Sequence, residues 1–212
     1  MKKVLLSIFM LIIVTGCATL EDSSIDSVIS KCIDTKYELV NHNNRGYKYY
    51  IPDGLTIKNE FDYNGIFKSK YYDYYLYVDL ISYYNKTKLN YTENKSLYFS
   101  KKIEHDNKIG IVNIEKKDDL YYVTVSYNYA TIESKTKETA LNETIANMLI
   151  ITNSIKYNDD IIKTIVANGK STGSEEQVNI FKGKDGDSGY LDVADDVYTG
   201  NEDDDYDPYV IN

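Results

Sequence analysis

The 212-residue sequence has no tryptophan, two prolines, two cysteines, two histidines and little arginine. Each shortage closes a class of function. His42 falls in a predicted loop and His105 in a predicted turn, so there is no His-Glu-x-x-His helix and no zinc-ligand spacing. No Gly-rich loop is placed to cradle phosphates. Two cysteines cannot build the framework of a disulfide-stapled fold. Serine, aspartate and glutamate are plentiful, but no spacing gathers them into a catalytic set; an enzyme would have to assemble its site from distant residues. Positive charge is also short. The net charge is −9, and residues 167–212 alone hold three lysines against twelve acids. The body of the chain is therefore neutral, which argues against nucleic acid as a partner. The longest apolar run, Val4 to Val14, is well under the roughly 20 residues a membrane-spanning helix needs.

What is abundant is tyrosine, 23 residues against five phenylalanines. Two explanations stand: the codon bias of an AT-rich genome, and selection for a binding surface. At the N-terminus, Met1-Lys2-Lys3 is a short basic opening, Val4–Val14 is an apolar core of signal-peptide length, and Gly16-Cys17 follows. Val14-Thr15-Gly16-Cys17 resembles the lipobox of bacterial lipoproteins. The resemblance implies a signal peptide over 1–16, cleavage before Cys17, a diacylglycerol thioether on its sulfur, and residence on the extracytoplasmic face of the cell membrane. Stable attachment takes two acyl chains, since one gives only marginal binding. Lipidation of Cys17 would leave Cys32 without an intramolecular partner. Cys32 lies in a helical apolar stripe with Ile25, Val28, Ile29 and Ile33, which reads as a small buried residue; an intermolecular bridge or a reactive thiol are the alternatives.

The organisation follows from composition and period. Residues 17–45 are polar and read as a tether with a short helix over Ser24–Ile33. Fully extended, its roughly 28 residues could reach about 90 Å. An α+β domain is expected over 46–157. Tyr47-Lys48-Tyr49 alternates, Pro52-Asp53-Gly54 makes a turn, and Leu55–Ile57 and Tyr63–Phe67 are short strands. The segment from Asp73 to Tyr84 reads as one long strand, with Tyr74, Leu76, Val78 and Leu80 on its core side. Leu97–Ile103, Ile109–Ile114 and Leu120–Tyr129 form a meander, with Tyr121, Val123, Val125, Tyr127 and Tyr129 facing inward. The period then changes to helical over Glu138–Asn153, a largely buried helix, and Ser154–Tyr157 adds a last edge strand. Residues 158–212 are an acidic tail, helical at its start and then flexible by composition.

The order of these elements, with Gly46-Tyr47-Lys48-Tyr49-Tyr50-Ile51-Pro52-Asp53-Gly54 at one end and Asn153-Ser154-Ile155-Lys156-Tyr157 at the other, is similar to an uncharacterised group of lipoproteins from low-GC Gram-positive bacteria. More remotely it resembles the PsbP-like fold of photosystem extrinsic proteins and their Ran-binding relatives. The resemblance implies an antiparallel sheet of about five to seven strands packed by a long helix late in the chain.

Three candidate sites remain. Tyr75, Tyr77 and Tyr83, with Asp79 among them, lie on the side of the Asp73–Tyr84 segment away from the core and could stack sugars or pack a peptide; a covering layer is the alternative. Asp185, Asp187, Asp192 and Asp196 have the oxygen spacing of a calcium loop but depart from the EF-hand pattern, with Tyr190 where Gly is expected and Asp196 where Glu is usual. Lys86, Lys88, Lys95, Lys101 and Lys102 form a basic stretch suited to the acidic tail or to anionic head groups. Together these make a lipid-anchored, non-enzymatic protein that binds a surface protein or glycan the leading expectation. A solute- or glycan-binding accessory and an unrecognised hydrolase are the alternatives.

Overall fold

Alternation of apolar and polar side chains sets most of this structure, a computed structural model that describes Leu20, residues 22–61 and residues 63–167. In chain order the elements are α1 (Ile25–Asp34), β1 (His42–Asn44), β2 (Tyr47–Tyr49), β3 (Thr56–Phe61), β4 (Asn64–Lys68), β5 (Asp73–Val78), α2 (Leu80–Tyr84), β6 (Phe99–His105), β7 (Lys108–Lys117), β8 (Leu120–Tyr127) and β9 (Ala130–Lys137). A 3-10 turn (Glu138–Ala140) then leads into α3 (Leu141–Ser154), followed by β10 (Lys156–Tyr157) and α4 (Asp159–Ala167). The fold is α+β. Seven antiparallel strands run in the order β3-β4-β5-β9-β8-β7-β6, and β1, β2 and β10 make a second, small sheet.

One face of the large sheet is the core. Tyr74, Leu76 and Val78 on β5, Tyr121, Val123, Val125 and Tyr127 on β8, and Ala130 and Ile132 on β9 point to it and are buried. The period of two places them on one side, and α3 packs there through Leu141, Ile145, Met148, Leu149 and Ile151. Fully burying each such side chain contributes about 2 kcal/mol.

The sheet's middle strand is the element the sequence hides. β9 pairs with β5 on one side and β8 on the other, yet its residues Ala130–Lys137 carry only one large apolar side chain. Its core face continues past Ile132 with Ser134 and Thr136, both fully buried. Their hydroxyls are satisfied locally: Ser134 Oγ donates to Asp73 O at 2.8 Å, and Thr144 Oγ1 donates to Thr136 Oγ1 at 3.2 Å. Polar residues with partners inside the core keep the strand without the expected hydrophobic pattern.

The expected tether over 17–45 is in part core. Ser24 caps α1 by accepting from Ser27 N at 3.2 Å, and Val28, Ile29, Cys32 and Ile33 are buried. Helix α3 holds α1 at both ends. Asn142 Nδ2 donates to Leu20 O and Ser23 O at 2.9 and 2.7 Å, and Asn153 Nδ2 donates to the carbonyls of Cys32, Ile33 and Thr35 at 3.0 to 3.3 Å. These carbonyls belong to the open C-terminal end of α1, so one amide side chain completes a helix and docks it.

At the other boundary, α4 closes onto the body through Ile162 and Ile165, both buried. The chain passes it at Gly46, whose φ of +93° suits glycine, and where a Cβ would stand 3.1 Å from Ile162 and 3.2 Å from Leu80. The start of the expected tail is thus part of the domain.

The expected long strand from Asp73 stops at Val78. Asp79 accepts from Ser82 N at 2.8 Å and caps α2, which turns the chain out of the sheet. Tyr129 also departs from its expected inward position. It sits half-buried in the β8–β9 turn at φ +59°, beside Asn128 at φ +55°. Asn128 Nδ2 donates to Ile155 O at 3.1 Å, and Tyr157 Oη donates to Asn128 O at 2.6 Å. These bonds hold a two-residue turn whose left-handed backbone suits a twisted hairpin.

Candidate functional site

The side of the sheet turned away from α3 carries the candidate site. Because Tyr74, Leu76 and Val78 take the core face, Tyr75 and Tyr77 must take the other. Both are half-buried there. Strand register lines up a row across six strands: Ile66, Tyr75, Glu133, Thr124, Asn113 and Ser100. A second row brings Tyr77 beside Thr131 and Ser126. This face is tyrosine, hydroxyl, amide and one central carboxylate.

Glu133 is the unusual member. At 3% exposure it is the most buried carboxylate among the described residues, directly opposite Tyr75. The adjoining row places Tyr122 beside Lys135, and the Lys117 and Lys135 ammonium groups lie 5.1 and 5.7 Å from the Tyr122 ring centroid. Asp73 receives Lys58 Nζ at 2.8 Å. From the loop between α2 and β6, Tyr91 reaches the face beside Ser126 and Asp79, and burial pushes its phenol up.

Of the four residues the sequence groups together, two stay on this face. Asp79 is used as the cap of α2. Tyr83 belongs to a different cluster. Its ring stacks on Tyr157 at 3.8 Å, meets Tyr129 edge-on at 5.6 Å and carries the Lys86 ammonium 3.7 Å from its centroid. Its hydroxyl donates to Asp159 Oδ1 at 2.8 Å, and its phenol is pushed up to about 12, first by burial and then by Asp159. Glu133 and Tyr122 are what sequence reasoning misses. The signal for Glu133 is hidden with the strand that carries it.

The other sequence candidates fall as follows. Cys17 and the aspartates Asp185, Asp187, Asp192 and Asp196 lie outside the described residues. Within them, no group of three or more His, Cys, Asp or Glu side chains could hold a metal. Cys32 is buried, and burial pushes its thiol up to about 11, which leaves it protonated and unreactive at neutral pH. The lysine stretch is dispersed: Lys101 pairs with Asp26, Lys102 with Glu104, and Lys86 lies on Tyr83.

His42 is not an isolated loop residue. Its Nε2 lies 2.9 Å from Glu60 Oε1, which also accepts from Asn44 Nδ2 at 3.0 Å and Tyr49 Oη at 3.5 Å. The Tyr49 phenol is pushed well up by burial, then by Tyr47 and Glu60. This network ties the small sheet to edge strand β3. Its contacts are all internal, and none of the described contacts places a nucleophile beside it.

Comparison with known proteins adds little. No protein-family model matches the chain, and no curated protein matches it. Among solved structures, a crystal structure described as a GTP binding regulator from Thermotoga maritima shows 12% identity and a TM-score of 0.26, over 64% of this chain and 93% of that one. A likeness at that score bears on neither fold nor function.

Proposed function

We propose that this is a non-enzymatic binding protein, anchored through a lipidated Cys17 to the extracytoplasmic face of the cell membrane, that engages a surface protein or glycan through its sheet. The observation that carries the reading is the outer face itself, where Tyr75 and Tyr77 stand half-buried in register with Glu133 and Thr131. Tyrosines held by a rigid strand give broad contact area and a hydroxyl while losing little side-chain entropy on binding. The hydroxyls, amide and carboxylate around them supply directional hydrogen bonds. The anchor rests on the Val14–Cys17 motif. Among the described residues no helix is long and apolar enough to cross a membrane.

Capture from membranes with the anchor intact tests the binding half. The wild-type chain should recover a partner that the Tyr75→Ser, Tyr77→Ser double variant loses; equal recovery by both would remove this face from the function. Replacing Cys17 with Ala tests the anchor and should leave the chain unprocessed or release it. Full membrane retention of a cleaved Cys17→Ala chain would contradict it.

A further inference from the structure

Only Ala18 and Thr19 stand between Cys17 and Leu20, and Leu20 is already bound into the body. Its carbonyl accepts from Asn142 Nδ2 at 2.9 Å and from Ser23 N at 3.3 Å, and the Ser23 carbonyl accepts from the same Asn142 amide at 2.7 Å. The three steps from Cys17 to Leu20 reach about 11 Å when fully extended, against about 90 Å for a tether that ran to residue 45. A lipid on Cys17 therefore holds one particular part of the surface against the head groups.

Which part follows from the topology. Phe99 faces Ile114, and Leu120 faces both Lys117 and Lys137, so the starts of β6 and β8 and the ends of β7 and β9 share one end of the sheet. Asn142 lies in the first turn of α3, just past the 3-10 turn that leaves β9, and it pins Leu20 at that end. α1 leads away from there. Its last residue, Asp34, lies 3.6 Å from His105 at the opposite end, where β6 turns into β7. The near end is also where apolar side chains stand in solvent. Leu20 is 41% and Tyr98 51% exposed, and Tyr71, in the turn from β4 to β5, is 62% exposed. Lysine ammonium groups accompany both rings, Lys70 4.8 Å from the Tyr71 centroid and Lys116 6.0 Å from that of Tyr98. Tyrosine and lysine together suit the head-group layer of a bilayer. The exposed residues of α1, Asp26, Ser30, Lys31 and Asp34, offer no apolar group, which speaks against that flank lying on the bilayer. Exposed charges at the near end are mixed, Lys116 and Lys137 beside Asp118 and Glu138, so the short leash and the rings set the contact and net charge does not.

We infer that the chain stands on the membrane by this end, with Leu20, Tyr98 and Tyr71 in the lipid head-group layer and the strands rising away from it. This orientation rests on the lipidated Cys17 proposed above and goes beyond it. With the strands upright, the Tyr75 and Tyr77 face looks sideways along the membrane, toward a partner held at the same surface.

The test is fluorescence quenching of the full lipidated chain in phosphatidylcholine–phosphatidylglycerol vesicles that carry a nitroxide on the lipid head group. A thiol-reactive dye is placed by Lys137→Cys at the near end, by Ser30→Cys on the outer flank of α1, or by Glu104→Cys at the far end, all exposed positions. Cys32 is buried and protonated and Cys17 carries the lipid, so neither takes the dye. Quenching should be strongest at 137 and at least ~3-fold weaker at 104, which register places about 25 Å further along the strands; position 30 should fall between them. Equal quenching at all three sites, or strongest quenching at 30 or 104, would overturn the orientation while leaving the anchor in place. A chain that washes off the vesicles would overturn the anchor and the orientation together. A Gly-Ser insertion of about 20 residues between Thr19 and Leu20, with a mean reach of about 25 Å, should lower quenching at 137 to the level at 104 while the chain stays membrane-bound. Unchanged quenching at 137 after that insertion would overturn the short leash as the cause.

Discussion

The two faces of the large sheet use the same residue for opposite purposes. On β5, Tyr74 is 1% exposed and belongs to the core, while its neighbour Tyr75 is half-buried on the outer face beside Glu133. On β8, Tyr121 and Tyr127 are buried under the helical layer, and Tyr122 carries two lysines on the other side. Tyrosine abundance is therefore not evidence for a surface by itself. Its meaning is set by strand parity, which a one-residue step reverses. The helix-packed face is buried and apolar apart from a few internally bonded hydroxyls, and the outer face is half-buried, aromatic and polar, with its own bonds between Ser100 and Asn113 and between Ser126 and Thr131. The first accounts for stability, and the second is the face on which the proposed binding rests.

The sharpest way to break the helix-packed face is Ile145→Asp. Ile145 is fully buried at the centre of α3, so the change deletes an apolar contact and buries an unpaired charge. A loss above about 4 kcal/mol is expected, and urea denaturation or circular dichroism should find no folded domain.

The next effect comes from pH. The Cys32 thiol rises from 9.0 to about 11 in the fold, chiefly through burial. A group of this kind is charged when deprotonated, so a raised folded pKa means the native state holds its proton more tightly. Its contribution is present below pH 9 and is lost as pH climbs through 11, about 3 kcal/mol at most. The Tyr127 phenol, raised from 10.0 to about 12 by burial and then by Asp106, adds to the same loss above pH 10. Stability should be flat from neutral pH to about 9 and then fall. Cys32→Ala should flatten the slope between pH 9 and 11; an unchanged slope would remove Cys32 from the account.

A smaller change tests the layer behind the sheet. Asn153→Ala deletes the donor shared by three carbonyls at the end of α1 and should cost about 1 to 2 kcal/mol. Amide exchange should speed up across Ile25–Asp34 before the β-strands respond. Uniform acceleration would mean that α1 does not open separately.

The legibility of these regions in the sequence followed the strength of the hydrophobic pattern. β8 reads cleanly because Tyr121, Val123, Val125 and Tyr127 alternate without a break, and α3 reads because its aliphatic residues keep helical spacing. α1 is legible as a helix, but its place against the core is not, since its dock is made by Asn142 and Asn153, more than a hundred residues away. β9 was invisible. Its inward residues past Ile132 are Ser134 and Thr136, and its outward Glu133 is as buried as a core residue. Local composition cannot report a bond to Asp73 O or a hydroxyl on Thr144. Without β9 the site is scattered in the sequence: Tyr75 and Tyr77 are legible without their carboxylate, and Tyr83 falls in the same alternation although α2 carries it to the Tyr157 cluster.

The last prediction bears on the outer face and is small in stability by design. Tyr75→Thr and Tyr77→Thr keep a β-branched residue on β5 with good strand propensity, while removing two half-buried rings. Their combined cost should be about 1 kcal/mol, against about 3 kcal/mol or more for Tyr74→Ala one position away. Thermal unfolding of the two variants beside wild type measures the difference. The size of the gap is the informative quantity. If the outer pair costs as much as Tyr74, those rings are packing residues and the face is a second core surface. If it costs little while recovery of the membrane partner is lost, the rings serve binding, because stability and capture have then separated across a single step of the strand.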